Sequence, residues 1–182
     1  KRYNTRQFRF FDDTFTVNRK KMIGVCKLLV EKFGDRYFSW WCLSTVSSID
    51  DEVLYWLKRA GADQVHLGIE TGSEKVMETI QKGCTKDQAR NAILLAKKYG
   101  FWVNTFFITG FPFEEEADIR ETMEFVKEVQ PDSVNLCTFT PYPGTALYDI
   151  CVEKGLMIPD EDFEQFKYIG QNSSSHFFMY TM

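Results

Sequence analysis

Five apolar runs with strand character punctuate the chain, at Gln7–Phe11, Tyr37–Leu43, Gln64–Ile69, Trp102–Ile108 and Ser133–Phe139, and their starts lie 30, 27, 38 and 31 residues apart. Between them the period changes from two to 3.6. Lys20–Phe33 sets Ile23, Cys26, Leu29, Val30 and Phe33 on one stripe, and Asp50–Ala60 does the same with Val53, Leu54, Leu57 and Ala60. Further helices are predicted over Glu74–Ile80, Lys86–Tyr99 and Glu115–Val129, with Asp50, Ser73 and Thr85 as N-caps and Gly34, Gly61 and Gly100 as stops. Strand and amphipathic helix alternating at this period imply an α/β fold: a parallel sheet with right-handed crossovers, open or closed into a barrel.

The strand ends carry the unusual residues. In Gln64–Glu70, alternation separates Val65, Leu67 and Ile69 from His66, Gly68 and Glu70. The apolar set suits a helix layer. The second set then faces a lumen or crevice, with Gly68 leaving room and Glu70 at the carboxyl end, where such sheets place ligands. Asp12 and Asp13 close the first strand, Ser44 and Thr45 the second, Gly110 and Pro112 the fourth, and Pro141 to Gly144 the fifth. Each is an ordinary turn residue taken alone; together they put polar or Gly/Pro loops on one edge.

Composition narrows the class. The 182 residues hold 22 Lys plus Arg against 26 Asp plus Glu, a net charge of −4, which does not indicate a nucleic-acid or anionic-membrane partner. No stretch approaches the ~18 apolar residues of a membrane span, so we expect a soluble, cytoplasmic protein. Five cysteines, Cys26, Cys42, Cys84, Cys137 and Cys151, lie too far apart for a local metal loop and are read as buried free thiols. Length suits one domain, and the start at Lys1, without an initiator Met, suggests a fragment or a domain of a longer protein.

The text DDTF at 12–15, GIETGS at 68–73, IQKGCT at 80–85, TGFP at 109–112 and PYPGT at 141–145, in this order and spacing, resembles the radical S-adenosylmethionine (SAM) enzymes, in the branch whose members often carry a cobalamin-binding domain. The likeness runs from about Phe8 to Asp149. It implies a partial (β/α)6 barrel similar to a TIM barrel, with about five parallel strands over 1–150, a C-terminal extension over 151–182, and SAM across the carboxyl ends of the strands. In that family a CxxxCxxC loop after the first strand holds a four-iron four-sulfur cluster. No such loop is present here. The resemblance therefore matches Gln7–Phe11 to the second strand and implies that the cluster ligands, and a cobalamin-binding segment, belong to an upstream part. The edge left by a missing first strand is expected to favour self-association.

The resemblance also suggests roles. Asp12, Asp13 and Thr14 match the loop that binds the SAM amino group, although Asp13 or Thr14 could simply cap the next helix. Glu70 matches a contact to ribose hydroxyls or other polar groups, and Lys82 a cation for the SAM carboxylate; each could instead be a structural or solvated charge. Ser44 and Thr45, at the end of the second strand, are further candidates for SAM contact, although relatives often place Arg at the position of Thr45. Ile108 and Gly110 match an adenine-flanking segment, while Phe113 stands where Gly is usual. The PYPGT turn either shapes the substrate mouth or is only rigid. His66 is either a lumenal ligand or acid/base group, or a hydrogen-bonded core residue. The family chemistry is generation of a 5′-deoxyadenosyl radical, here for methylation or ring formation on a small molecule. The alternatives are a methylthiotransferase, a coproporphyrinogen-oxidase-like enzyme, or a barrel fragment that binds or packs without catalysis.

Overall fold

A computed structural model describes residues 5–156 and the pair Tyr180–Thr181. The chain runs β1 (Gln7–Arg9), α1 (Arg19–Phe33), β2 (Ser39–Ser44), a 3₁₀ turn (Val46–Ser48), α2 (Asp51–Arg59), β3 (Ala62–Glu70), α3 (Glu74–Thr79), α4 (Lys86–Lys98), β4 (Trp102–Thr109), α5 (Glu116–Val129), β5 (Ser133–Thr138), α6 (Ala146–Glu153) and β6 (Tyr180–Thr181). Strands β1 to β5 pair in chain order and all in parallel, which right-handed helical crossovers permit. The two-residue β6 lies antiparallel against Ser133 and Val134. The five parallel strands make a curled half-barrel with its helices outside, and α6, for which the sequence reading had no element, runs across position 150.

The helices begin where side chains satisfy their first N–H groups. Asp50, Ser73 and Thr85 accept from the amides of Val53, Val76 and Gln88, as predicted, and Gln88 reaches back to the Thr85 amide. Helix α1 is different: its cap is Asn18, whose side chain accepts from the Lys21 amide, so neither Asp13 nor Thr14 caps it. One residue of the α1 stripe also moves outward. Met22 and Cys26 are buried, but Phe33 sits at the rim, stacked on Tyr37 at 5.6 Å.

The core lies between the sheet and the helices. Val53, Leu54 and Leu57 of α2 and Ala89, Ile93 and Ala96 of α4 pack with Val65, Leu67, Ile69, Val103 and Phe107 of the sheet. At the β1–β2 end an aromatic cluster takes over. Trp40 is 1% exposed, stacks on Phe8 at 5.9 Å, and meets Phe10 and Phe15 edge-on at 5.0 and 5.5 Å. Its indole N–H donates to the Ala60 carbonyl at 2.9 Å. Between α2 and β3, Gly61 turns the chain at φ +96°, and a Cβ there would lie 2.0 Å from the Phe38 carbonyl oxygen. Only glycine fits such a close backbone crossing.

Candidate functional site at the carboxyl edge of the sheet

Parallel register decides which side chains share a face. Val65 pairs with Cys42 and Val103, and His66 with Leu43 and Asn104. The first row, continued by Ser44, Leu67, Ile69 and Phe107, is buried under the helices. The second row lines the concave lumen, continued by Arg9, Trp41, Gly68, Phe106, Ile108, Asn135 and Cys137, with Glu70 at its carboxyl end where the register shifts. The division predicted for β3 therefore holds. It separates the two candidates at the end of β2: Ser44 is 5% exposed on the helix side, next to Cys42 Sγ at 3.8 Å, so its hydroxyl does not face the lumen. Thr45 follows as the N-cap of the 3₁₀ turn, at the strand exit.

Glu70 sits at a bulge between β3 and β4, with φ +70° in the left-handed region. Its Oε1 accepts from Lys82 Nζ at 2.8 Å, and the two side chains are only 22% and 21% exposed. A Cβ on Gly68 would lie 2.6 Å from that oxygen and 3.4 Å from the lysine nitrogen. The room left by Gly68 is thus taken up by the ion pair. Two residues expected to contact different groups of one ligand are here each other's partners, at the lumen mouth.

The rest of the GIETGS segment is structural. Thr71 Oγ1 contacts Thr122 Oγ1 at 3.1 Å, the Gly72 amide donates to Thr122 Oγ1 at 2.9 Å, and Ser73 Oγ donates to Asp118 Oδ1 at 2.7 Å. All three bonds tie the loop after β3 to α5. Asp118, which sequence reasoning passed over, also accepts from the Glu115 amide at 2.9 Å and from Lys75 at 3.3 Å. The Glu115 amide first, then the Ser73 hydroxyl, hold its carboxyl below the usual carboxylate range, against the opposing effect of burial. A carboxyl depressed in the fold stabilises it above its unfolded pKa of about 4, and that contribution is lost as pH falls through the folded value. Asp118→Asn is accordingly expected to lower the thermal midpoint at pH 7 and to flatten its decline toward about pH 3. Thermal melts across that range check both parts.

The remaining predicted residues, Ile108 in β4 excepted, occupy loops at the same carboxyl edge. Asp12 and Asp13 are exposed after β1, and neither is in an ion pair among the described residues. Thr14 is half-buried and donates to the Asp13 carbonyl at 2.8 Å. The loop is anchored further on, where buried Thr16 meets Ser48 Oγ at 2.5 Å and the Phe15 amide donates to Leu43 O at 3.0 Å. Ile108 lies in the lumenal row opposite Cys137. Gly110 has φ +90°, and a Cβ there would meet only Thr138 Cγ2 at 3.8 Å, so backbone conformation rather than crowding calls for glycine. Its amide and the Thr109 hydroxyl both donate to Glu114 Oε2, at 2.5 and 2.9 Å. Phe113 finds a place by stacking on Phe111 at 5.7 Å. Thr145, last residue of the PYPGT turn, caps α6.

Deeper in the lumen lies a polar cluster not read from the sequence. Asn104 Nδ2 donates to His66 Nδ1 at 3.2 Å, while its Oδ1 accepts from Asn135 Nδ2 at 2.7 Å and from Ser133 Oγ. His66 Nε2 faces Gln64 Oε1 at 3.2 Å, and its ring lies parallel to Trp41 at 4.3 Å. Burial pushes the imidazole down to about 4, so His66 is neutral at pH 7. This matches the hydrogen-bonded reading rather than a titrating acid or base. Strand parity together with pairing register would have been needed to bring these residues together beforehand.

The cysteines do not converge. Cys26, Cys42 and Cys151 are buried and Cys84 and Cys137 half-buried, all as free thiols. Burial pushes Cys26 and Cys42 up to about 12, which suits inert packing. Among the described residues no group of three or more His, Cys, Asp or Glu side chains is placed to hold a metal ion. The residues present therefore do not fit an iron-sulfur cluster.

Residues 1–126 match the model of the Radical SAM superfamily. The chain belongs to this superfamily. Among curated relatives, an uncharacterized methyltransferase of Pyrococcus horikoshii is 33% identical over 156 residues, which cover 86% of this chain and 34% of that protein. Among solved structures, the radical SAM methyltransferase TsrM from Kitasatospora setae, with cobalamin and a four-iron four-sulfur cluster bound, superposes with a TM-score of 0.72 at 14% identity, over 82% of this chain and 29% of that one. Coproporphyrinogen III oxidase from Escherichia coli, a radical SAM enzyme, gives 0.67 at 20% identity over 93% of this chain and 39% of its own. These structural likenesses establish the half-barrel fold. The chain spans about a third of the curated relative's length. No helix among the described residues is long and apolar enough to cross a membrane.

Proposed function

We propose that this chain is the SAM-binding barrel portion of a radical SAM enzyme that modifies a small molecule, with methyl transfer as the preferred reaction. The observation that carries the reading is the Glu70–Lys82 pair at the lumen mouth, inside the segment matched to the superfamily. A zwitterionic ligand with a sugar diol needs both an acceptor and a cation, and this pair offers them already gathered and partly desolvated. Asp12 and Asp13, on the loop after β1 at the same carboxyl edge, supply carboxylates for the ligand's ammonium group. Ile108 and Gly110, at the end of β4, flank the adenine, with Thr45 at the exit of β2.

When bound, SAM supplies an activated methyl group or, after one-electron reduction, a 5′-deoxyadenosyl radical. The work of this chain is to hold the ligand and keep water from it. The cluster, whose ligands the chain lacks, and any cobalamin are assigned to a further segment of the protein. The preference for methylation over ring formation rests on the Pyrococcus horikoshii relative and on the TsrM likeness.

Calorimetric titration of the chain with SAM and with S-adenosylhomocysteine tests the reading. Saturable binding is expected, weakened at least about tenfold, or ~1.4 kcal/mol, by either Glu70→Ala or Lys82→Ala. Absence of binding, or affinity unchanged in both variants, would sink it and favour a barrel that only packs against other parts of the protein.

A further inference from the structure

We propose a second small-molecule site in the amino-terminal half of the lumen, for a flat conjugated ligand bearing an anionic group, with Trp41 as its stacking wall and Arg9 as its anion anchor. The site stands on its own geometry; that its occupant is the substrate rests on the function proposed above.

The site follows from an irregularity in strand pairing. Trp40 pairs with Ala62 but Trp41 pairs with Gln64, so Asp63 is an extra residue in β3. An inserted residue turns two consecutive side chains toward one face. Asp63 and Gln64 both reach the lumen here: Ser39 Oγ donates to Asp63 Oδ2, and Gln64 meets His66. Beside the bulge is a cleft of about 370 Å³ whose wall includes Arg9, Ser39, Trp41, Asp63 and Gln64 and also reaches Phe8 and Trp40. Pockets for small ligands begin at roughly 300 Å³.

The wall of this cleft is pre-organised. His66 covers one face of Trp41, parallel within 2° at 4.3 Å, so the indole cannot turn freely. A ligand ring stacks only on the other face, with the exposed Arg9 side chain swinging aside to meet its anionic group. The Arg9 guanidinium lies 5.7 Å from the Trp41 ring centre and 4.8 Å from that of Phe11. Arg19, Arg59, Arg90 and Arg120 each pair with a carboxylate, whereas Arg9 forms no ion pair among the described residues. A guanidinium lying on ring faces keeps its in-plane N–H donors available for a carboxylate or phosphate. Asp63 supplies the opposite pole. It lies beside Ser39, two residues, or roughly 7 Å, along β2 from Trp41. A bound ligand therefore points its acidic group toward Arg9 and its uncharged body toward the Ser39 end. Stacking favours a conjugated ring over a saturated one of equal size. His66, being neutral, adds no competing charge.

The probe is 2-naphthoate, titrated against the whole chain by calorimetry and by tryptophan fluorescence, with 2-naphthylmethylammonium and cyclohexanecarboxylate as comparisons. The proposal expects saturable 2-naphthoate binding, at least tenfold weaker binding of both comparison compounds, and at least a tenfold loss in Arg9→Gln and in Trp41→Leu. Arg9 is exposed, so its variant tests the idea even if Trp41→Leu fails to fold. No saturation by 2-naphthoate, equal affinity in wild type and Arg9→Gln, or tighter binding of the ammonium compound would each overturn it. SAM titration of the same proteins separates the two readings. Loss of 2-naphthoate affinity with SAM affinity unchanged supports a distinct site, whereas 2-naphthoate binding without SAM binding leaves this site standing and removes the function proposed above.

Discussion

Replacing Gly61 by alanine is expected to cost this fold about 4 kcal/mol or more, enough to leave much of the chain unfolded at moderate urea. Two causes add. The backbone at φ +96° is strained for any residue with a Cβ, by roughly 1–3 kcal/mol. The added carbon would also stand 2.0 Å from the Phe38 carbonyl oxygen and 2.9 Å from its carbon, and these are backbone atoms that no rotamer change can move. Relief requires the entry to β2 to shift away from β3. That shift breaks the bonds from the Trp40 amide to Gly61 O, at 3.3 Å, and from the Arg36 amide to Arg59 O, at 2.7 Å. Gly24 provides the comparison. It lies within α1, a Cβ there meets nothing within 4 Å, and Gly24→Ala is expected to stabilise the chain by about 0.5–1 kcal/mol. Urea unfolding of the two variants measures both signs; a Gly61→Ala protein as stable as wild type would refute the account of this turn.

Trp40→Ala comes next in size, at about 3–5 kcal/mol. The side chain is almost fully buried and touches the rings of Phe8, Phe10 and Phe15, so its removal leaves a hole bounded by large, stiff groups that cannot close around it. The Ala60 carbonyl loses its indole donor as well. For a domain of this size the thermal midpoint should fall by roughly 10 °C. Trp41→Ala, one residue on, is the informative contrast. Its ring faces the lumen rather than the core, so the expected loss of stability is much smaller; similar losses at both positions would contradict the assignment of faces in β2.

The strand and helix order was legible because each element carries its own period, and the caps Asp50, Ser73 and Thr85 because capping needs only a short polar side chain at the right place. What the sequence does not write is pairing register. The extra residue at Asp63 has no signature in composition, yet it decides which side chains line the cleft. Ser44 shows two local signals in conflict: its place at the carboxyl end of the strand suggests a ligand contact, its parity with Trp40 and Cys42 the core, and the structure follows parity. Asp118 was missed because its partners, Ser73 and Lys75, lie 45 and 43 residues away. Among the residues assigned to the carboxyl edge, the chain brings Glu70 and Lys82 into contact, sets Ile108 in the lumenal row, and leaves Asp12, Asp13 and Gly110 on exposed loops.

The clamp between residues 71–73 and α5 makes the lumen mouth lopsided. Glu70 stands on a segment fastened by three side-chain bonds to Thr122 and Asp118. Lys82 stands on the short connection between α3 and α4, at the end of a flexible stem. The acid is a fixed post and the lysine a latch resting on it. Drawing the ammonium aside need not disturb the sheet, the bulge or α5, and the glutamate so uncovered already sits in the room beside Gly68.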